Sequence, residues 1–295
     1  MTRTITALSL AAALSLAALP ALAQEGNGNV PPTPSPPPQS WSFAGPFGTY
    51  NAEQLQRGFK VYKEVCANCH SMEYVAFRNL GDPGGLGYNE AQVEALAATY
   101  RVKDIDDQGN PTERTGRPAD TFPSPFANEK AAAATYGVAP PDMSTLAKAR
   151  TYQRGFPWFI FDFFTTYQEE GPDYIAALIN GFTPPPAGFK VPEGRHYNKY
   201  FPGHVIAMPP PLQDGQVTYD DGAPQTIEQY GKDVAAFLMW AAEPKLDQRH
   251  RIGFQVMIFL IVLSGLLYFT KKKVWHEVEA PREAAHGQDP AKTTI

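Results

Sequence analysis

The sequence is poor in cysteine and in the glycine motifs that bind phosphate. Only Cys66 and Cys69 occur in 295 residues, so at most one disulfide can form. The next cysteine or histidine after His70 is His196, which excludes a zinc site built from closely spaced ligands. The glycines of residues 81–87 have no strand pattern before them and no G-K-[ST] after them, so they do not form a phosphate-binding loop.

The two cysteines belong to one motif, Cys66-Ala67-Asn68-Cys69-His70. The pattern C-x-x-C-H is typical of covalent attachment of haem c. Thiols separated by two residues lie about one helical turn apart, which suits addition to the two vinyl groups of a haem, and the adjacent histidine can then reach the iron. We therefore predict that Cys66 and Cys69 tether one haem c and that His70 is its proximal ligand.

Two other interpretations of this motif were weighed against haem attachment. A redox-active pair of the thioredoxin type needs a βαβ pattern nearby, and residues 50–100 show none. A structural disulfide between Cys66 and Cys69 is compatible with an oxidising compartment, but it leaves His70 without a role.

The two ends of the chain indicate export and membrane anchoring. Residues 1–23 have a basic Arg3, an apolar run and a final A-x-A, the pattern of a secretory signal peptide that is cleaved before Gln24. Residues 252–270 contain no charged side chain, and at about 1.5 Å per residue they are long enough to cross a hydrocarbon core of about 30 Å.

The sequence therefore divides into four parts. We predict a signal peptide at 1–23, a periplasmic haem c domain at 24–251, a single transmembrane helix at 252–270 and a cytoplasmic tail at 271–295. Residues 24–50 form an extended, proline-rich lead-in to the domain, which we expect to be solvated around 31–38.

The exported part carries 26 Asp and Glu against 19 Lys and Arg. A membrane-tethered acidic domain is unsuited to binding nucleic acid. Its charge can attract a basic protein partner over long range, which would make the rate of association depend on salt. Solubility alone is an equally good explanation of this acidity.

The remaining pattern predicts a mostly helical domain with long loops. Helices are expected at 53–65, 89–101, 128–136, 172–179 and 226–242, whereas 102–126 is expected to be loop and 182–212 to be mostly loop. The aromatic run Phe156–Phe164 is too short to cross a membrane. We expect it to be buried as a helix or packed loop, the alternative being contact with a neighbouring subunit or the lipid interface.

A low-spin haem that transfers electrons needs a second axial ligand. Position argues against Met72, Met239 and His250, because the first is too close to His70 and the others lie on or after the helix that leads to the membrane. Proline-stiffened loops hold the four remaining candidates, which are Met208, Met143, His196 and His204. The spacing favours Met208, and an iron with an open sixth position also stays possible.

Five segments together resemble the cytochrome c1 family, the haem subunit of quinol:cytochrome c oxidoreductase, or cytochrome bc1 complex. They are V-C-A-N-C-H-S-M at 65–72, A-P-P-D-M-S at 139–144, A-K-A-R ending at Arg150, Y-F-P-G-H-V-I-A-M-P-P-P-L at 200–212 and D-V-A-A-F-L-M-W-A-A-E-P at 233–244. The resemblance implies a class I cytochrome c-like domain of mostly α structure with long loops, followed by one C-terminal transmembrane helix.

The resemblance also implies roles for individual residues. It makes Met208 the sixth iron ligand and pairs Arg150 with a haem propionate. It places four more residues in the lining of the haem pocket: Pro141, Tyr174, Phe201 and Pro202.

One segment departs from the pattern of the family. Thr151–Gly171 resembles an insertion relative to mitochondrial members, and the disulfide that braces this region in some bacterial members is absent here. We expect packing of its aromatic side chains to hold it, so that replacing Phe159, Phe161 and Phe163 with serine would lower thermal stability.

The function implied by the resemblance is electron transfer. The haem would take electrons from a Rieske iron–sulfur protein and pass them to a periplasmic or membrane-anchored cytochrome c, inside a dimeric complex with cytochrome b that couples quinol oxidation to proton translocation. The chain would be an enzyme only as a subunit of that complex. The alternatives are a free-standing membrane-anchored electron shuttle and an open-iron haem sensor or peroxidase.

Overall fold

The computed structural model of the protein describes residues 31–152, 156–165 and 170–286, and most of its regular structure is helical. The helices are α1 (Ala52–Glu64), α2 (Glu90–Ala97), α3 (Glu129–Tyr136), α4 (Leu146–Ala149), α5 (Trp158–Thr165), α6 (Glu170–Asn180), α7 (Ile227–Ala242) and α8 (Leu246–His286). Two small antiparallel pairs accompany them, β1 (Arg101–Ile105) with β2 (Pro111–Thr115) and β3 (His196–Tyr197) with β4 (Val205–Ile206). The predicted fold class, a mostly α cytochrome c-like domain with one long apolar C-terminal helix, is confirmed.

All five helices predicted from the apolar pattern occur, as α1, α2, α3, α6 and α7. Their observed ends are close to the predicted ones except in α2, which ends at Ala97 because the chain turns there towards β1. Asparagine caps are one reason for the agreement. Asn51, Asn89 and Asn128 each accept a hydrogen bond from a backbone N–H in the first turn of the helix that follows.

The expectation that residues 102–126 are loop is wrong, because β1 and β2 form a hairpin. The carboxylate of Asp106 accepts hydrogen bonds from the backbone N–H groups of Gln108 at 3.0 Å and Asn110 at 2.8 Å. Gly109 supplies a positive φ of 85°. This turn chemistry holds together two polar, mostly exposed strands that show no apolar alternation for a sequence pattern to detect.

The core of the domain lies where α1 crosses α7, at Gly58. A Cβ atom at this position would overlap the carbonyl oxygen of Asp233, so the two helices can approach this closely only with glycine. Aromatic rings pack beside the crossing: the centroid of Phe237 lies 5.5 Å from that of Phe59 and 5.7 Å from that of Tyr62. The crossing fixes the direction in which α1 runs towards the cysteine motif.

A buried ion pair joins the same two helices. The side chain of Asp233 has no exposed surface, and its Oδ2 atom accepts a hydrogen bond from Arg57 Nε at 2.9 Å. Its Oδ1 atom accepts further bonds from the side-chain amides of Gln54 and Gln229. A buried carboxylate is tolerated here because every side of it faces a donor.

In the proline-rich lead-in, five of the eight residues 31–38 are exposed, in line with the expected solvation, whereas the chain that follows is packed on the domain. Pro36, Trp41 and Phe43 are buried. The buried carboxylate of Asp173 accepts hydrogen bonds from Gln39 N and Trp41 Nε1, both at 2.8 Å. Proline content predicts an extended backbone, but it does not show where that backbone begins to lie against the domain.

The prediction that the aromatic run Phe156–Phe164 is buried is also wrong for the side chains that are described. Phe156 is 80% exposed, Trp158 51%, Ile160 42% and Phe161 54%. The run forms most of α5, which follows α4 and precedes α6 in the chain. It therefore lies outside the core between α1 and α7, and apolar composition alone could not reveal this.

Helix α8 continues from the domain into an apolar stretch. The span Leu246–His276 is long and apolar enough to cross a membrane, and none of its most apolar stretch is buried against the rest of the protein. Within this span, the limits of the membrane-embedded part at 252–270 stay a prediction. The predicted signal peptide at 1–23 lies outside the described residues.

Candidate haem site

The two cysteines lie on a single tight turn at the end of α1. The turn Cys66–Asn68 is a 3₁₀ helix, closed by hydrogen bonds to the carbonyl oxygen of Cys66 from Cys69 N at 3.1 Å and from His70 N at 2.9 Å. Both cysteines are free thiols, so the disulfide alternative is not formed. Burial raises the pKa of the Cys66 thiol to about 12, with the neighbouring Cys69 contributing in the same direction.

The imidazole of His70 is oriented by a backbone carbonyl. Its Nδ1 atom lies 2.9 Å from the carbonyl oxygen of Pro141, a distance at which Nδ1–H donates a hydrogen bond. This bond assigns the proton to Nδ1 and leaves the lone pair on Nε2, the atom that would bind a metal. Burial lowers the pKa of His70, which favours the neutral form that ligation requires.

The loop that contains Pro141 is joined to the cysteine motif through Asp142. The Asp142 carboxylate accepts hydrogen bonds from Ser71 Oγ, Glu73 N and Ser144 N, each at 2.8 Å. Burial works against ionisation of this carboxyl, but the hydrogen bonds outweigh it and lower its pKa. Asp142 therefore fixes the position of the carbonyl that orients His70.

Tyr136 is a second neighbour of the motif that sequence reasoning missed. Its hydroxyl lies 3.3 Å from Cys69 Sγ and forms a hydrogen bond with it. Helix α3 ends at this tyrosine because Gly137 takes up the left-handed conformation, with φ of 76°. The Tyr-Gly pair at the end of a predicted helix was visible in the sequence, but its distance of 67 residues from Cys69 hid the contact.

The structure separates the four candidates for the sixth ligand. His204 is buried, with Nδ1 3.1 Å from Asn198 O and Nε2 2.9 Å from Pro31 O, and its ring stacks on Tyr197. Both of its nitrogens thus lie at hydrogen-bond distance from backbone carbonyls, so neither is directed towards an iron site. Met143 is buried in the hydrophobic core.

Met208 and His196 are both half-buried. Met208 follows β4 by two residues and precedes three consecutive prolines, which restrict the backbone next to it. Residue His196 is paired with Ile206 in the small sheet. Of the four candidates, Met208 alone is neither buried nor part of the β3–β4 pair.

The predicted pocket residues fall into two groups. Arg150 ends α4 and Tyr174 lies on α6; burial raises the pKa of Tyr174, and the positive charge of Arg150 partly opposes this. Phe201 and Pro202 lie in the turn between β3 and β4. Tyr174 and Phe201 are half-buried, whereas Pro141, Arg150 and Pro202 have exposed surface.

A cavity of about 530 Å³ lies beside the Met208 loop, between the end of α6 and the prolines of that loop. Ile179, Phe182, Arg195, Tyr197 and Pro210 are among its lining residues, but His70 and Met208 are not. The cavity is therefore next to the predicted haem site rather than identical with it.

The described residues fit a covalently bound haem c. Two free thiols are presented from one turn, an imidazole is held in the tautomer that leaves Nε2 available, and a thioether and a guanidinium lie in neighbouring loops. No group of three or more His, Cys, Asp or Glu side chains suited to a metal ion occurs in the described part of the chain.

Comparison with known proteins gives one consistent family. The model described as the Cytochrome C1 family matches residues 41–278. A protein of Bradyrhizobium diazoefficiens named cytochrome b/c1 is 63% identical over 243 residues, which are 81% of this chain and 35% of that protein. Cytochrome c1 of Blastochloris viridis is 52% identical over 280 residues, covering 94% of this chain and 97% of the relative.

A third relative, cytochrome c1 of Rhodospirillum rubrum, is 43% identical over 279 residues, 94% of this chain and 99% of its own length. The chain thus spans about a third of the Bradyrhizobium protein but nearly all of the other two relatives.

Proposed function

The chain belongs to the cytochrome c1 family, and on this premise we propose that it is the haem electron-transfer subunit of a cytochrome bc1 complex. One haem c would be attached through Cys66 and Cys69, with His70 and Met208 as axial ligands. The observation that carries this proposal is the hydrogen bond from His70 Nδ1 to Pro141 O, because it directs Nε2 of a C-x-x-C-H histidine towards ligation.

The bound haem supplies a one-electron Fe(III)/Fe(II) couple. The residues around the haem would tune the reduction potential of that couple and shield it from water. A thioether from Met208 favours ferrous iron and raises the reduction potential relative to a second histidine. The guanidinium of Arg150 would compensate a propionate charge, and the half-buried rings of Tyr174 and Phe201 would keep water from the cofactor.

The proposed partners follow from the family. Electrons would arrive from a Rieske iron–sulfur protein and leave to a periplasmic or membrane-anchored cytochrome c, while cytochrome b completes the quinol-oxidising, proton-translocating and dimeric complex. The Bradyrhizobium relative supports a cytochrome b partner, since its name joins b and c1. The excess of acidic residues in 24–251 supports a basic acceptor.

We place the haem domain on the periplasmic side of the inner membrane. The signal-peptide pattern of residues 1–23 supports this side, and α8 supports a single crossing. In this arrangement residues 271–295 lie in the cytoplasm, with Lys271, Lys272 and Lys273 at the membrane exit as the positive-inside rule favours.

Covalent attachment is tested by acidic organic extraction of the purified chain. Thioether-bound haem stays with the protein, whereas non-covalent haem is removed. The double variant Cys66→Ala, Cys69→Ala should lose its haem, and Met72→Leu, three residues beyond the second cysteine, should retain it. Extraction of all haem from the wild-type chain would contradict the proposal.

Membership of a complex is tested by purification in a mild detergent. Cytochrome b and a Rieske protein should co-migrate with the chain and be reduced by quinol. Recovery of the haem-loaded chain alone, with no quinol:cytochrome c activity in the membranes it came from, would favour a free-standing shuttle.

A further inference from the structure

Exposed aromatic side chains are concentrated in one short segment of the domain. Outside α8, the described residues include nine large apolar side chains with extensive exposure, and four of them are Phe156, Trp158, Ile160 and Phe161. A soluble surface scatters such residues singly, so a group of four within six positions marks an interaction surface. The segment 156–165 contains no Lys or Arg and a single acid, Asp162.

The helix that precedes this segment, α4, is joined by ion pairs to the start of the predicted membrane helix. Lys148, on the helix that precedes the segment, forms an ion pair with the buried Glu243, and Arg249 of α8 pairs with the same carboxylate. Arg249 is three residues before Ile252, a distance of about 5 Å along a helix. The headgroup layer of a bilayer is about 5–8 Å deep on each side, so these ion pairs lie at or just outside it.

The other end of the segment returns to the same place. Gly171, in the first turn of α6, packs so tightly on α4 that a Cβ atom would lie within bonding distance of the carbonyl oxygen of Ala147. Both ends of the segment are thus fixed beside α4. Helix α5 is eight residues long, about 12 Å, and it ends at Thr165, six residues before Gly171, so at most about 20 Å of extended chain separates that end of α5 from α4.

A second aromatic residue already contacts the apolar part of α8. Phe47 is 73% exposed, and its ring lies 5.6 Å from that of Phe254, edge to face. Its loop is fastened to the same helix, because His250 Nδ1 donates to Gly48 O at 2.8 Å and Asp247 accepts from Tyr50 N at 3.1 Å. An exposed ring held against a residue of the predicted span, Phe254, would lie at the level of the lipid.

We propose that Phe47, Phe156, Trp158 and Phe161 form an aromatic footprint with which the haem domain rests on the lipid interface of the membrane. Aromatic rings favour the boundary between headgroups and acyl chains, where their apolar bodies leave water. Because the footprint segment has no cationic side chain, its binding rests on apolar burial and not on attraction to anionic lipid. The footprint would restrict tilting of the haem domain about the junction with α8.

The test is the depth of a nitroxide label on the full-length, haem-loaded chain, purified with the subunits that accompany it and placed in phosphatidylcholine nanodiscs. Two labelled positions probe the footprint. Ile160→Cys lies within the segment 156–165, and Phe156→Cys lies at its start. Ile105→Cys is the matched control, since Ile105 is also an exposed isoleucine but lies at the end of β1. Phe259→Cys, in the middle of the predicted span, reports membrane anchorage by itself.

The label at 160 should show an oxygen-to-nickel accessibility ratio several-fold higher than the label at 105, and adding phosphatidylglycerol should leave that ratio unchanged. The footprint is overturned if the label at 160 is as accessible to aqueous nickel as the label at 105. It is also overturned if neither reagent reaches position 160, because a protein partner would then cover it. In either case, a lipid-exposed label at 259 would show that α8 still anchors the chain, and quinol:cytochrome c activity of the same sample would show that the proposed electron transfer is intact.

Discussion

At the scale of single residues, the geometry around His204 and Met143 narrows a choice that the sequence left open. Proline-stiffened loops held all four candidates for the sixth ligand, and spacing cannot tell a ligand from a residue that serves the packing of its loop. His204 has both nitrogens at backbone carbonyls, and Met143 belongs to the core. These contacts join residues far apart in the chain, such as His204 and Pro31, so no local pattern could have predicted them.

A prediction at this scale concerns the buried ion pair. Replacing Arg57 with methionine should lower the free energy of unfolding by about 3 kcal/mol, because Asp233 would be left charged and buried. The matched control is Lys60→Met on the same helix. Its ion pair with Asp220 is 3.4 Å long and exposed, so the change should stay below about 1 kcal/mol. Denaturant unfolding followed by circular dichroism measures both, and equal losses would contradict the assignment.

At the scale of elements, the sequence correctly predicted the helices whose positions depend on apolar periodicity and on capping side chains. Helices α1 and α7 have an apolar face, and α1, α2, α3 and α7 begin with a capping side chain, so their positions are encoded locally. The β1–β2 hairpin depends on the turn at Asp106, and the packed lead-in depends on Asp173, which is 134 residues from Gln39. These two elements are fixed by turn chemistry and by long-range contacts, neither of which periodicity reports.

The crossing of α1 and α7 gives a second prediction. Gly58→Ala should destabilise the domain by about 2–3 kcal/mol, because the new methyl group would overlap the backbone at Asp233 and push the helices apart. Gly253→Ala on α8, which has no atom within 4 Å of its would-be Cβ, should change stability by less than about 0.5 kcal/mol. Thermal unfolding of the two variants in the same detergent distinguishes a steric effect from a general cost of losing glycine.

A third prediction revises the expectation for the aromatic run. Because Phe161 is more than half exposed, Phe161→Ser should leave the melting temperature of the detergent-solubilised domain nearly unchanged. Phe237→Ser, in the core, should lower it strongly. A large loss for Phe161→Ser would restore the first expectation, that packing of this side chain braces the insertion.

At the scale of the whole molecule, the fold holds the haem motif, its orienting carbonyl and the start of the membrane helix in one packed unit. Helix α1 leads into the cysteine turn, α7 packs on α1, and α8 follows α7 after a short break. The ion pairs of Glu243 with Lys148 and Arg249 fasten the start of α8 to the domain. Fixing the haem domain relative to the bilayer would help a membrane-bound donor meet the same face of the domain in each cycle.

The acidic balance of the exported part gives a prediction about its acceptor. Electron transfer from the purified complex to a basic cytochrome c should slow steeply as ionic strength rises from about 10 mM to 200 mM, since the Debye length falls from about 30 Å to below 8 Å. An acidic cytochrome c of similar potential should react slowly throughout. A rate for the basic acceptor that does not change with salt would assign the acidity to solubility alone.

The central proposal is that His70 and Met208 would be the two iron ligands of the haem, and carbon monoxide binding to the reduced chain tests it most directly. The optical spectrum of the reduced wild-type protein should be unchanged by carbon monoxide, because both axial positions are taken. Met208→Ala should bind the gas readily, whereas Met143→Leu should behave like the wild type. Ready binding by the wild-type protein, or no binding by Met208→Ala, would contradict the account.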